Sequence, residues 1–179
     1  MKKLVFATLM CVAAMSAKAQ VITSETVNNA YEEVSCQADG HFAYNAEWTD
    51  NNITTMYVYE KTSSPKGMLS LKPHLKYAYS YTADGMLTSR VAYRWSNSLG
   101  DWVCTARYDF TLADGNYRAE YSRYNHETAR FDLPVERMDY SLMPDDSIDH
   151  VSSYYRDSQS PSYQLVSDTT VTLLMASSR

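Results

Sequence analysis

Four large aromatic residues recur at matched positions in the middle of the sequence: Trp95, Trp102, Tyr124 and Phe131. Trp95 and Tyr124 are 29 residues apart, and so are Trp102 and Phe131. Rows of aromatic side chains can stack on the flat faces of sugars or on apolar protein surfaces. We therefore treat these four as candidate ligand-binding residues. The competing interpretation is that they pair across strands in a core, because large aromatic side chains are mostly buried.

Residues that could catalyse a reaction are present, but they form no recognisable motif. The four histidines are dispersed, so no metal and no cofactor is predicted. The sequence has neither a phosphate-binding glycine loop nor a Gly-x-Ser-x-Gly elbow. Asp109, Glu120 and Asp139 lie on predicted polar strand faces, where pairing with Arg107 or Arg118 is the ordinary outcome. No catalytic residue is therefore predicted.

The elements that would position the aromatic residues are β-strands. Side-chain character alternates with period two over four consecutive segments between Leu75 and Tyr124. In the second segment, strict alternation places Arg90 on the polar face. In the third segment, it places six residues on one face: Trp102, Cys104, Ala106, Tyr108, Phe110 and Leu112.

The alternating segments repeat as hairpins with a period of about 30 residues. Asp84-Gly85 and Asp114-Gly115 each separate two segments, and Asp-Gly at such a place predicts a tight turn. Weaker copies carry Lys66-Gly67 and Asp145-Asp146 instead. One hairpin is marginally stable alone, so several in series are needed to cover an aromatic face. We predict an all-β fold, an antiparallel meander of about four repeated hairpins.

The two ends of the hairpin array differ from its middle. Thr169–Met175 predicts a closing strand. Within Thr26–Ser35, apolar residues at helical spacing predict a short N-terminal helix: Val27, Ala30, Tyr31 and Val34.

Residues 1–19 have the features of an export signal. Two lysines precede a short apolar segment, and Ala17 and Ala19 supply the small residues that a leader peptidase reads. The apolar segment is too short to cross a bilayer, so no transmembrane segment is predicted. We expect cleavage after Ala19, one domain over residues 20–179, and a periplasmic, cell-surface or extracellular location.

The predicted mature chain is acidic. Residues 1–19 hold three of the 16 basic residues and none of the 21 acidic ones, which leaves 13 basic residues and a net charge of −8. An acidic surface repels phosphate backbones, so nucleic acid is excluded as a partner. Cys36 and Cys104 form either a disulfide or two separate thiols. The sequence leaves the oligomeric state open.

Two resemblances cover Tyr57 to Tyr163. The Tyr79-x-Tyr81-x-x-Asp84-Gly85-Met86-Leu87 pattern resembles the tyrosine–aspartate repeats of large secreted Rhs-type proteins, although their signature usually separates the Asp from the Gly. The whole chain is similar to a family of small exported proteins of unknown function from gut anaerobes. The Trp95-to-Trp102 spacing and the Phe-Asp-Leu-Pro sequence at Phe131–Pro134 carry that similarity. Both resemblances imply stacked hairpins, and neither assigns a catalytic residue.

Two functional hypotheses follow from these patterns. Because every recognisable motif serves strand pairing or turning, we predict a non-enzymatic binding or structural module. Its partner would be a carbohydrate or another surface protein, held on the aromatic rows. The alternative is a small carboxylate-dependent hydrolase of the glycosidase type, which needs only two acidic side chains on opposite sides of a bond.

Overall fold

The computed structural model describes residues 21–37, 40–63, 68–113, 115–144, 148–157 and 160–171. These residues form one helix and ten strands: α1 (Ser24–Ser35), β1 (Phe42–Thr49), β2 (Asn52–Ser63), β3 (Leu69–Tyr81), β4 (Leu87–Ser96), β5 (Asp101–Ala113), β6 (Asn116–Asn125), β7 (Arg130–Phe131), β8 (Glu136–Leu142), β9 (Ile148–Tyr155) and β10 (Gln164–Thr170). The strand order is β1-β2-β3-β4-β5-β6-β8-β9-β10, and β7 pairs with β6 beside this path. The prediction of an antiparallel meander with a short N-terminal helix is confirmed.

Several predicted features lie outside the described residues. They are the export signal (1–19), the Lys66-Gly67 turn, Asp114, the Asp145-Asp146 turn and positions 172–175 of the closing strand. The observed closing strand, β10, begins at Gln164, five residues before the predicted one. Sequence reasoning also assigned no strand to Phe42–Thr49, which forms the edge strand β1.

The chain divides into two compact units. The large unit contains Ile22–Asp109 and Tyr121–Pro134, and so includes α1, β1 to β4 and β7. The small unit contains Phe110–Glu120 and the described residues from Val135 onwards, and so includes β8 to β10. Strands β5 and β6 contribute residues to both units.

The turn between β3 and β4 anchors the N-terminus of α1 in the large unit. Gly85 adopts a φ of 85°, in the left-handed region that favours glycine. Its carbonyl oxygen accepts a hydrogen bond of 2.8 Å from the Ser24 backbone N–H. Two residues later, the Leu87 N–H donates to the Ile22 carbonyl at 3.0 Å. The repeated hairpin turn therefore also fixes where the helix begins.

Helix α1 begins with a reciprocal cap made by two threonines. The Thr23 hydroxyl accepts from the Thr26 N–H at 3.3 Å, and the Thr26 hydroxyl accepts from the Thr23 N–H at the same distance. A glutamate or glutamine is the usual third residue of such a cap. Because Thr26 takes that place, the predicted helix began two residues late.

One face of the large unit, which we call the helix-covered face, packs against α1. Its centre is Val27 of the helix with Ile53 and Met56 of β2, which are 3 %, 0 % and 8 % exposed. Burying such a side chain stabilises the fold by about 1.5–3 kcal/mol. Partly buried residues surround this centre: Ile22, Tyr31, Tyr44, Ala46, Tyr77, Tyr79 and Tyr81. The three tyrosines of β3, Tyr77, Tyr79 and Tyr81, therefore belong to a core.

Arg90 is buried on this same side of the sheet, which contradicts its predicted place on a polar face. It pairs with Tyr79 across β3 and β4 and is 7 % exposed. Its guanidinium carbon lies 4.7 Å from the ring centroid of Tyr108 and 5.2 Å from that of Tyr77. Desolvated cation–π contacts contribute about 2 kcal/mol. Two tyrosine rings thus replace water around a charge that alternation had assigned to solvent.

A β-bulge explains why strict alternation gave the wrong faces in β5. Ala92 pairs with Ala106, whereas the next residue, Tyr93, pairs with Cys104, so one extra residue is inserted in β5. A bulge of this kind reverses the side-chain pattern beyond it. The prediction of one shared face is therefore wrong, because Trp102 and Cys104 lie opposite Ala106.

Replacing Ile53 tests the packing of α1. Ile53→Ala should lower the free energy of unfolding by about 3 kcal/mol, and Ile53→Val by about 1 kcal/mol, because the side chain is fully enclosed. Leu69→Ala, at a residue that is 63 % exposed, is the control and should change it by less than about 0.5 kcal/mol. Urea titration followed by circular dichroism measures all three, and similar losses for the Ala variants would contradict this packing.

Alkaline pH should weaken the helix-covered face. Burial raises the pKa of Tyr79 to about 12, against an ordinary value of about 10. Neutral Tyr79 therefore contributes stability that is complete below pH 10 and is lost as the pH rises towards 12. Tyr79→Phe should remove about 1–2 kcal/mol of that loss.

The measurement is urea unfolding at pH 9 and pH 11.5. Tyr155→Phe is the control, since the Tyr155 side chain is 42 % exposed. If the free energy of unfolding fell between pH 9 and pH 11.5 by as much in Tyr79→Phe as in the parent protein, the assignment would be refuted.

Candidate functional site

The opposite side of the large unit carries a set of partly exposed aromatic rings. Lys76 and Tyr77 are successive residues of β3, so their side chains leave the sheet on opposite sides. Tyr77 belongs to the helix-covered face, and Lys76 therefore points to the other side. We call that side the aromatic face and define it by Lys76 and seven rings: Tyr57, Tyr59, Tyr93, Trp95, Trp102, Tyr124 and Phe131.

Trp95 and Trp102, two of the four predicted residues, form a pair in the structure. They are register partners across β4 and β5, with ring centroids 5.2 Å apart and planes inclined at 75°. Tyr57 lies 6.0 Å from Trp102, and Tyr59 stacks beside Tyr57 at 6.4 Å. Edge-to-face pairs contribute about 0.5–1.5 kcal/mol beyond burial, so these rings hold one another in place.

Tyr124 and Phe131, the other two predicted residues, form a second pair. They are register partners across β6 and β7, with centroids 5.2 Å apart and planes inclined at 74°. His126 packs against the other side of Tyr124 at 5.1 Å. The sequence singled out these four residues by their spacing, and the structure brings Trp95 into contact with Trp102 and Tyr124 into contact with Phe131.

Two cations lie among these rings. The Lys76 ammonium is 4.3 Å from the ring centroid of Tyr93 and 5.6 Å from that of Trp102. The Arg107 guanidinium is 4.5 Å from the ring of Phe131 and pairs with Asp109 at 2.8 Å. Lys76 therefore links the Trp pair to Tyr93, and Arg107 extends the cationic character towards β7.

The seven rings are neither buried nor fully exposed. Each has an intermediate exposure, in contrast to Ile53 at 0 %. A half-buried ring on a strand keeps one side against its neighbours and offers the rest to solvent. The aromatic face therefore presents ring surface, tyrosine hydroxyls and an ammonium group together, which suits a flat ligand with polar edges.

Partial burial raises the pKa values of two tyrosines on this face. Burial raises the pKa of Tyr57, and a hydrogen bond of 2.9 Å to the Glu47 carboxylate raises it further. Burial also raises the pKa of Tyr93, with Cys104 and Tyr124 contributing. Both hydroxyls stay protonated at neutral pH, but the Tyr57 O–H is already donated to Glu47, so of the two it is the Tyr93 hydroxyl that can donate to a ligand.

Cys104 belongs to this face but is poorly suited to act as a nucleophile. Burial raises the pKa of its thiol, and the nearby charges of Arg107 and Lys76 oppose that rise only in part. Thiols become reactive when their pKa is lowered. Cys36 and Cys104 are both free, so they form two separate thiols and not a disulfide.

The small unit holds a Ser–His–Asp cluster whose connectivity does not fit nucleophilic catalysis. Asp168 Oδ1 accepts from the Ser152 hydroxyl at 2.6 Å and contacts His150 Nε2 at 2.5 Å. Catalysis of that type needs the histidine to take the serine proton. Here both residues share the carboxylate, and their hydrogen bonds lower the pKa of Asp168. The cluster is an exposed polar contact between β9 and β10.

The three carboxylates considered for a hydrolase each have a different polar partner. Asp109 pairs with Arg107, and Asp139 pairs with Arg118 at 2.7 Å. Glu120 accepts a hydrogen bond of 3.1 Å from the Tyr163 hydroxyl. The predicted pairing with an arginine across strands therefore holds for Asp139, whereas Asp109 pairs with Arg107 of its own strand.

Two kinds of feature, clusters of metal ligands and membrane-spanning helices, are absent from the part of the chain that the structure describes. Within those ranges, no group of three or more His, Cys, Asp or Glu side chains could hold a metal ion. The described helix is also too short and too polar to span a bilayer.

Sequence reasoning missed half of the residues that define the aromatic face. It singled out four rings by their 29-residue spacing, but it did not include Tyr57, Tyr59, Tyr93 or Lys76. Tyr93 could have been found, because it precedes Trp95 by two residues and shares its face. Lys76 had no signal of its own, since an alternating lysine on a strand usually faces solvent.

Three solved structures are similar to this chain, and the first of them supports the fold. A Bacteroides fragilis protein of unknown function superposes with a TM-score of 0.65 at 21 % identity, covering 74 % of this chain and 94 % of its own. A Parabacteroides distasonis DUF3836 family protein gives a TM-score of 0.48 at 20 % identity, covering 56 % of this chain and 89 % of its own. A Bacteroides vulgatus protein of the same family gives 0.47 at 17 % identity, with 61 % and 97 % covered.

Comparison with curated proteins finds no match. The model of one family does match, over residues 1–142. That range contains α1, β1 to β8 and every residue of the aromatic face. The chain belongs to the family of unknown function DUF3836.

Proposed function

We propose that this protein is an exported carbohydrate-binding module that holds sugar rings on the aromatic face. The observation that carries the proposal is the group of seven half-buried rings on the side of the large unit opposite α1. Aromatic rings contact the C–H faces of sugars, while tyrosine hydroxyls and charged groups at their edges bind sugar hydroxyls.

The polar content of the face favours a sugar over an apolar protein surface. The centre of a protein interface is poor in lysine and other charged residues. Here Lys76 lies over the Tyr93 ring, the Tyr93 hydroxyl is protonated, and the Tyr57 hydroxyl, which donates to Glu47, can accept. Mixed ring surface and hydrogen-bond donors match the amphipathic faces of a pyranose. Binding to a surface protein is the competing outcome.

The hydrolase alternative needs a general acid with a raised pKa. The pKa values of Asp84 and Asp168 are instead lowered by hydrogen bonds. The location follows from the predicted export signal and is part of the proposal.

Binding to an oligosaccharide array tests the proposal on residues 20–179. Trp102→Ala should weaken the affinity for an array hit by about tenfold or more, since stacking on one aromatic ring contributes about 0.5–1.5 kcal/mol beyond the area it buries. Trp48→Ala is the matched control. Trp48 is 47 % exposed and packs on Tyr31 of α1, so its loss should leave the affinity unchanged.

Because Trp102 also packs on its neighbours, Trp102→Phe is made alongside to preserve folding, and urea titration checks both variants. Calorimetry gives the affinities. Absence of any oligosaccharide hit would refute the proposal, and so would equal affinity losses in the Trp102 and Trp48 variants.

Fluorescence quenching provides a second test. With Trp48 replaced by Phe, the emission comes from Trp95 and Trp102, which are partly exposed. We expect acrylamide to quench it, and a bound oligosaccharide to lower the quenching constant about twofold. Quenching that is unchanged at saturating sugar would place the sugar elsewhere on the protein.

A further inference from the structure

Lys76 is a cation at the centre of the aromatic face. It pairs with Tyr57 on β2 and with Tyr93 on β4 in the strand register, so aromatic residues flank it on both sides. Its ammonium nitrogen lies over Tyr93 and reaches Trp102. The contacts that fix the Trp pair therefore also fix the position of one positive charge.

The ammonium group lacks a carboxylate of its own. Within the described ranges, Lys76 takes part in no salt bridge. An ammonium has three hydrogen-bond donors, and the contacts of Lys76 described above are with aromatic rings. Glu47, which contacts Tyr57 on this face, accepts a hydrogen bond from the Tyr57 hydroxyl.

The charges on the rest of the protein make this absence informative. The chain carries 21 acidic against 16 basic residues, so carboxylates are plentiful. The other cation of the face, Arg107, has Asp109 at 2.8 Å. A partly exposed ammonium without a carboxylate partner can bind an anionic ligand without first giving up an ion pair of its own.

From this geometry we infer that the aromatic face selects acidic sugars, with Lys76 binding the carboxylate of a hexuronic acid whose ring stacks on Trp102 or Tyr93. The inference rests on the proposed carbohydrate binding and adds its specificity. Charge-assisted hydrogen bonds between an ammonium and a carboxylate are about twice as strong as neutral ones. The aromatic rings supply affinity for the sugar ring, and Lys76 distinguishes acidic from neutral sugars.

A matched pair of ligands separates charge from ring shape. Oligogalacturonate carries one carboxylate per residue, and its methyl ester has the same rings without the charge. Calorimetry with residues 20–179 should give about tenfold tighter binding of the acid than of the ester at low salt. Raising the ionic strength should reduce this preference, because salt screens a partly exposed ion pair.

Variants of Lys76 assign the preference to one residue. Lys76→Met should bind acid and ester with equal affinity, so that the ratio of the two affinities falls from about tenfold to about one. Lys76→Arg should keep a preference for the acid, because the charge stays near the rings. Lys72→Met is the control, an exposed lysine four residues earlier in β3, and should behave as the parent protein does.

The outcomes separate this inference from the proposed function. Equal binding of acid and ester by the parent protein, or an unchanged preference in Lys76→Met, would overturn the inference while leaving carbohydrate binding in place. A preference for sulfated over carboxylated oligosaccharides would also overturn it, since the anion would then be of another class. Absence of binding to either galacturonate ligand, with binding to neutral sugars of the array, would overturn the inference alone. No binding to any sugar would overturn both.

Discussion

The packing of α1 on the large unit decides which aromatic residues are structural and which face solvent. A helix of 12 residues is about 18 Å long, and it covers one side of a sheet only. Val27 encloses Ile53 and Met56, and tyrosines of β1 and β3 complete that core. The other side receives no such cover from the helix, so its rings stay half-buried and support one another in edge-to-face pairs. The same residue type thus has two roles, set by the side of the strand on which it lies.

The sequence predicted those features of the fold that depend on local chemistry. Asp84-Gly85 specified a turn because glycine adopts the positive φ observed there, and the apolar stripe around Val27 specified a helix. The closing strand and the repeated hairpins followed from period-two alternation. The edge strand β1 was missed because Phe42–Thr49 has polar residues at several positions and no turn signal resembling Asp-Gly.

The candidate site was predicted only in part, and the reason is the β-bulge in β5. A single extra residue changes the facing of everything beyond it, and no local pattern distinguishes it from ordinary alternation. Trp95 and Trp102 lie on the same side of the sheet because they pair directly across a short turn. Alternation placed Arg90 on the wrong side, because its burial depends on Tyr77 and Tyr108, which come from two other strands. Lys76 likewise becomes notable only once its neighbours on β2, β4 and β5 are known.

The hydrogen bond from Ser24 to Gly85 joins residues that are 61 positions apart in the chain. Synthesis proceeds from the N-terminus, so the helical segment exists well before the turn that fixes it. Contacts of such high sequence separation slow folding, because a long loop must close before they form. The core beneath α1 therefore cannot close until β3 and β4 have been made.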